Sequence, residues 1–145
     1  GGEMKTVYLA QSDEDILACF GVMHQVRPHL LKEEFISIIR EMMTGGYQMA
    51  CIKENGLVVS VAGFRVARSL WMGKHLYVDD LVSDQNTRSR GHGDALIAWL
   101  TDLAKSQGCR FLHLDSGVQR ADAHRFYMKQ GMSISCFHFQ KSLED

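Results

Sequence analysis

The sequence predicts an α/β (α+β) chain: a mixed, mostly antiparallel central sheet flanked by helices. Three observations predict it. Helix-period apolar stretches are interspersed with short runs of strand character. An Asn55-Gly56 dipeptide joins two neighbouring strands as a tight hairpin. A strand-helix-strand crossover then follows that antiparallel half, which calls for helices on both faces of a mixed sheet. At 145 residues, 46% of them apolar, the chain reads as one domain over 1–145 with enough material for a proper core. Gly1 and Gly2 are set aside as foreign to the fold.

The elements follow in order. Lys5 to Leu9 is a short first strand. Ser12, with Asp15 three residues on, offers a weak capping box to a helix that buries Ile16, Leu17, Phe20 and Met23. A second helix over Lys32–Thr44 carries Phe35, Ile38, Ile39 and Met42 at helical spacing, and Gly45-Gly46 stops it. Strands at Tyr47–Lys53 and Leu57–Arg68 form the hairpin, because Asn-Gly tolerates the positive backbone angles of a two-residue turn. A strand at about His75–Ser83 comes next. A helix from Gly91 to Gln107 then sets Leu96, Ile97, Leu100, Leu103 and Ala104 on one face, with Gly108 as its C-terminal cap. Arg110–Asp115 reads as a strand, Arg120–Gln130 as a helix ended by Gly131, and Ser133–Gln140 as a last strand. The order is β-α-α-β-β-β-α-β-α-β.

Composition removes several function classes. The net charge of −1 supplies no field to gather nucleic acid. No apolar run approaches the roughly 18 to 20 residues that span a bilayer, so no membrane partner is expected. The N-terminus lacks a basic stretch followed by an apolar one, so no secretory signal is expected either. Four scattered cysteines (Cys19, Cys51, Cys109, Cys136), without a CxxC pair, read as reduced thiols of a cytoplasmic protein. The seven histidines make no HxxxH pair and no tight cluster with cysteine, so no metal is expected.

The most informative segment is the turn between the strand ending at Ser83 and the helix that follows: Asp84-Gln85-Asn86-Thr87-Arg88-Ser89-Arg90-Gly91-His92-Gly93-Asp94. The first amides of a helix have no partner within it and lie at the positive end of its dipole. Glycines at 91 and 93 bare those amides, and Arg88 and Arg90 add charge at the rim. A chain builds a pyrophosphate cradle from its backbone in this way. A P-loop would need a lysine after Gly93, and a dinucleotide fingerprint would need a small residue where Leu96 stands. His92 would contribute its backbone.

These residues resemble the GCN5-related N-acetyltransferase family. Its R/Q-x-x-G-x-G/A signature is met by Arg88, Gly91 and Gly93, and a second landmark, an A-x-x-[apolar]-Y-x-x-x-G-F segment, by Ala123 to Met132. The element order matches over nearly the whole chain. Gln85 stands where proline is common, Arg120 where an asparagine often contacts the pantetheine arm, and Met132 where phenylalanine is usual. The resemblance implies the acyl-CoA N-acyltransferase fold, with acetyl-CoA as co-substrate. Its pyrophosphate would rest on Arg88, Ser89, Arg90, Gly91, His92, Gly93 and Asp94, and its pantetheine arm would pair with Leu81, Val82 and Ser83; for Arg120, which could meet a phosphate instead of the arm, cofactor contact is left open. The acyl acceptor implied is a small amine or a peptide amine. A homodimer is left open, and so is a non-catalytic acyl-CoA sensor that keeps the cradle without turnover.

Within that frame Tyr127 is the candidate general acid, since a phenol of pKa about 10 is nearly matched to a departing thiolate. Asp79 and Asp80 interrupt the apolar strand Leu76–Val82, where carboxylates are costly unless exposed or partnered. Side chains alternate along a strand, so the two face opposite sides unless a bulge intervenes. Polyamine-acetylating and Hpa2-like members carry an acidic pair here, which implies that one aspartate attracts the amine and takes its proton. Which of the two does so is not fixed by the sequence.

Overall fold

A computed structural model describes residues 5–87 and 90–144. The chain divides into two compact units, Gly1–Leu114 and Asp115–Asp145. The first holds a five-stranded sheet of order β1-β2-β3-β4-β5, built from β1 (Val7–Leu9), β2 (Tyr47–Glu54), β3 (Leu57–Ser69), β4 (Gly73–Ser83) and β5 (Phe111–Leu114). The first four strands run antiparallel to their neighbours, and β5 lies parallel to β4. The same unit carries α1 (Asp13–Ala18), α2 (Phe20–Val26), α3 (Lys32–Thr44) and α4 (His92–Ser106).

Local chemistry explains these elements. The Ser12 side chain accepts the Asp15 amide at 3.1 Å and caps α1. The expected single helix breaks at Cys19, which ends α1 and opens α2. Asn55 and Gly56 both take positive φ, 52° and 79°, as the two-residue hairpin between β2 and β3 requires.

The sheet has two covered faces. On one, Ile16, Met23, Phe35 and Ile39 from the first three helices pack on Tyr47, Met49, Cys51, Val61 and Val82. On the other, Leu96, Leu100 and Ala104 of α4 pack on Ala50, Ile52, Ala62, Phe64, Leu76 and Val78. α4 presents its apolar residues every three or four positions, so one face of it lies on the sheet, opposite the face covered by α1 to α3.

A bulge in β4 decides where the acidic side chains go. β3 and β4 pair Gly63 with Asp80 and Phe64 with Val78, leaving Asp79 as the extra residue. The bulge cancels one step of alternation. Asp79 then reaches Arg65, while Asp80 reaches Tyr47 and Arg27, all on the face covered by α1 to α3.

The second unit contains α5 (Ala121–Lys129), closed by Gly131 at φ 82°. The expected strand at Ser133–Gln140 does not form: residues 133–144 belong to no ladder among the described residues. Ile134, Phe137 and Phe139 of that segment are largely exposed. A run with strand propensity becomes a strand only when a neighbour satisfies its backbone groups, and propensity alone did not supply one.

Candidate active site

The helix head comes first. Gly91 caps α4 with φ 82° and ψ 15°, a left-handed conformation that residues with a side chain adopt at a cost of about 1–2 kcal/mol. The helix opens with Ala95 N–H on Gly91 C=O at 3.1 Å, which sets the first turn of α4 and its main-chain amides at the positive end of the helix dipole. Gly93 is half-buried and Asp94 exposed. Arg88 and Ser89 lie outside the described residues.

Arg90 donates from Nη1 to Glu54 Oε2 at 3.0 Å, so its charge is shared with an acid of β2 rather than held wholly for a ligand. The His92 side chain turns inward and is 2% exposed. Its Nε2 lies 3.2 Å from Glu54 Oε1 but is misaligned, so neither ring nitrogen makes a hydrogen bond. Burial above all, then Lys5, then Arg90, push its pKa below the usual histidine value despite Glu54. His92 is therefore a neutral, internal ring, and what it presents at the helix head is its main chain.

The strand that leads into this turn has an open stretch. The β4–β5 ladder runs only from His75↔Phe111 to Val78↔Leu114, while β4 continues to Ser83. Leu81, Val82 and Ser83 thus lie beyond that ladder, with β3 on their other side. Ser60, fully buried, donates to the Val82 carbonyl at 3.0 Å and meets the Ser83 hydroxyl at 2.9 Å, fixing this end of β4.

On the α1–α3 face of β4, Arg65 forks onto Asp79 from Nε at 3.1 Å and Nη2 at 3.0 Å. Asp80 accepts from Arg27 Nη2 at 2.9 Å and from the Tyr47 hydroxyl at 3.3 Å. Tyr47 is 1% exposed, and burial together with the two aspartates drives its pKa far above the ordinary phenol range, so it remains a hydrogen-bond donor. Its ring lies so close over Gly63 that a Cβ there would overlap the hydroxyl. We expect Gly63→Ala to push the phenol off Asp80 and to destabilise the protein by about 1–3 kcal/mol, read from chemical denaturation midpoints. Tyr47→Phe, which removes the hydroxyl and frees that space, should restore part of the loss.

Sequence reasoning singled out Asp79 and Asp80 but missed Arg27, Arg65, Tyr47 and Gly63. Two signals were present: an arginine inside the apolar run of β3, and a glycine in the interior of the same strand, where glycine marks a close approach. Nearby, His75 and His113 meet across β4 and β5 at 2.9 Å between ring nitrogens.

In the second unit Tyr127 is half-buried on α5. Burial raises its pKa above the ordinary phenol value, partly opposed by the charge of Arg120, so it stays protonated at neutral pH. Arg120 occupies the N-cap position of α5, exposed and without a capping side-chain bond.

Comparisons with known proteins agree with this architecture. The profile of the Acetyltransferase (GNAT) family matches residues 8–132. An uncharacterized N-acetyltransferase, YhdJ of Bacillus subtilis strain 168, is 32% identical over 132 residues, covering 90% of this chain and 93% of that protein. The aminoalkylphosphonate N-acetyltransferase of Salmonella typhimurium is 32% identical over 93 residues, 61% of this chain and 58% of that one. Among solved structures, a Trypanosoma brucei acetyltransferase superposes with a TM-score of 0.78 at 22% identity, over 95% and 99% of the two chains. The aminoglycoside N-acetyltransferase AAC(6')-Iy in complex with CoA superposes with a TM-score of 0.78 at 14% identity, over 99% of each chain. With its profile matched over most of its length, and with a near-full-length relative at 32% identity, this chain belongs to the GNAT family of acetyltransferases, enzymes that draw their acetyl group from acetyl-CoA.

Proposed function

We propose that the protein transfers the acetyl group of acetyl-CoA to a primary amine by direct attack while both substrates are bound. The observation that carries this reading is the bulge at Asp79, which turns two carboxylates to one face beside a strand end that has left its ladder. Acetyl-CoA supplies an activated acyl carbon. The amides at the head of α4, from Gly91 to Asp94, grip its diphosphate together with Arg88, Ser89 and Arg90, and the edge at Leu81 to Ser83 pairs with its pantetheine arm. The name of the Salmonella relative, whose substrate carries an amine, supports the acceptor class.

The residues then divide the proton work. Asp80, or Asp79, holds the acceptor as an ammonium and takes one proton, directly or through water. The freed nitrogen attacks the thioester carbon, whose oxygen gains charge next to a backbone amide near Val82. A donor of that kind is typically worth about 3 kcal/mol to the transition state. The C–N bond forms and the C–S bond breaks. Tyr127 gives its proton to the departing thiolate, and the second proton of the nitrogen leaves to solvent; once the proton taken by the aspartate has replaced that of Tyr127 through solvent, an ammonium and a thioester have become an amide, a thiol and one free proton. The assignment of Tyr127 rests on its place in the matched segment.

The four thiols suit a reducing compartment, and we place the activity in the cytoplasm. Among the described residues no helix is long and apolar enough to cross a membrane. The test is release of free CoA thiol from acetyl-CoA with a panel of amines, each corrected for hydrolysis without acceptor. At least one amine should raise thiol release well above that background. A panel without any such amine, from a protein that CoA still stabilises against heat, would favour the sensor reading instead.

A further inference from the structure

We propose that Arg27 is an anion-binding subsite beside Asp80, so that the acceptor is a small amine carrying its own acidic group. The inference rests on the amine-acetylating reading and deepens it. It starts from a charge count on the face of β4 that carries the bulge. Two carboxylates stand there, and each already has a guanidinium: Arg65 forks onto Asp79, and Arg27 sits on Asp80. Asp79 and Asp80 are thus matched charge for charge, so the pair itself offers no surplus negative charge to a polycation.

The two ion pairs differ in kind. Arg65 uses two nitrogens on both oxygens of Asp79, from the neighbouring strand of the same sheet, and its side chain is 32% exposed. Such a fork is rigid and hard to open. Arg27 uses one nitrogen on one oxygen, from the residue that ends α2, just ahead of Pro28. Its side chain is 48% exposed, whereas that of Asp80 is 14% exposed and is held from the other side by the Tyr47 hydroxyl. A single-contact pair with one solvent-exposed partner stabilises little, so it opens at small cost. Asp80 is the fixed member and Arg27 the movable one.

An amine that takes Asp80 must displace Arg27. A simple amine would leave that guanidinium without its counter-charge, and a diamine would add a second cation beside it. An acceptor with an acidic group a few atoms from its nitrogen exchanges one ion pair for two, ammonium on Asp80 and acid on Arg27. Guanidinium geometry suits a carboxylate or a phosphonate, both of which accept its paired N–H groups.

The experiment compares three acceptors of one length: 3-aminopropionate, its uncharged amide, and 1,3-diaminopropane. Thiol release gives kcat and KM, and calorimetry on the CoA-bound protein gives binding without turnover. We expect kcat/KM for 3-aminopropionate to exceed that for either competitor by about tenfold or more, mostly through KM, the size expected of a charge-assisted contact. Arg27→Gln should shrink the ratio of acid to amide by a similar factor, and Arg27→Lys should keep part of it. Preference for the diamine, or an acid-to-amide ratio that Arg27→Gln leaves unchanged, would overturn the subsite while amine transfer stands. If none of the three is turned over, calorimetry decides: tighter binding of the acid, lost in Arg27→Gln, upholds the subsite, and equal or absent binding overturns it.

Discussion

Replacing Gly91 with valine is expected to abolish CoA binding while the domain stays folded. Gly91 holds φ 82° at the cap of α4, where a β-branched residue is strained. The valine either distorts the cap or rotates the first turn, and in both cases the amides before Ala95 lose the common direction that lets them converge on an anion. Losing two or more charge-assisted contacts at about 1.5–3 kcal/mol each weakens affinity by a hundredfold or more. The fold tolerates the change, because among the described residues a Cβ at this position meets the Lys5 side chain alone, at an ordinary 3.7 Å. The check is a pair of melting curves, with and without CoA. Wild type should gain stability from CoA, and the variant should melt a few degrees lower and gain none. Gly91→Ala, with a smaller side chain, should fall between them.

Tyr127→Phe should bind acetyl-CoA as wild type does, yet lose about a hundredfold to ten-thousandfold in kcat, the range of a general acid. Removing one hydroxyl from a half-buried ring leaves the packing of α5 intact, so stability should move little. The pH dependence carries a sign that a structural role would not produce. An acid must be protonated to act, and burial holds the Tyr127 pKa above the usual phenol value. Its contribution is therefore complete at neutral pH and is lost only as pH rises through that elevated pKa. The wild-type kcat should fall on the alkaline limb, and that limb should be missing in the variant. Turnover equal to wild type would remove Tyr127 from the mechanism.

The legible and illegible parts of this protein separate by the range of the interactions that decide them. Ser12, Gly45-Gly46, Asn55-Gly56 and Gly108 act within a few residues, and all do what local rules demand. The α4 stripe was readable because helical spacing needs no knowledge of the partner. The break at Cys19 was not, because it depends on how two short helices pack against the sheet. The last strand failed for the related reason that a ladder belongs to two segments and sequence shows one.

The site divides in the same way. Its glycines and acids could be picked out as residue types that sit badly in their surroundings. The orientation of Asp79 and Asp80 needed the register between β3 and β4, where one extra residue reverses a face. Arg27 lies 53 residues from its partner, and no local pattern joins the two.

Whether main-chain amides at the start of α4 hold the diphosphate of the coenzyme can be read from amide NMR shifts on titration with CoA and, separately, with pantetheine, which has no diphosphate. Large shifts are expected at Gly91, His92, Gly93 and Asp94 with CoA, and small ones there with pantetheine. Tight CoA binding that leaves those four amides unmoved would contradict that contact.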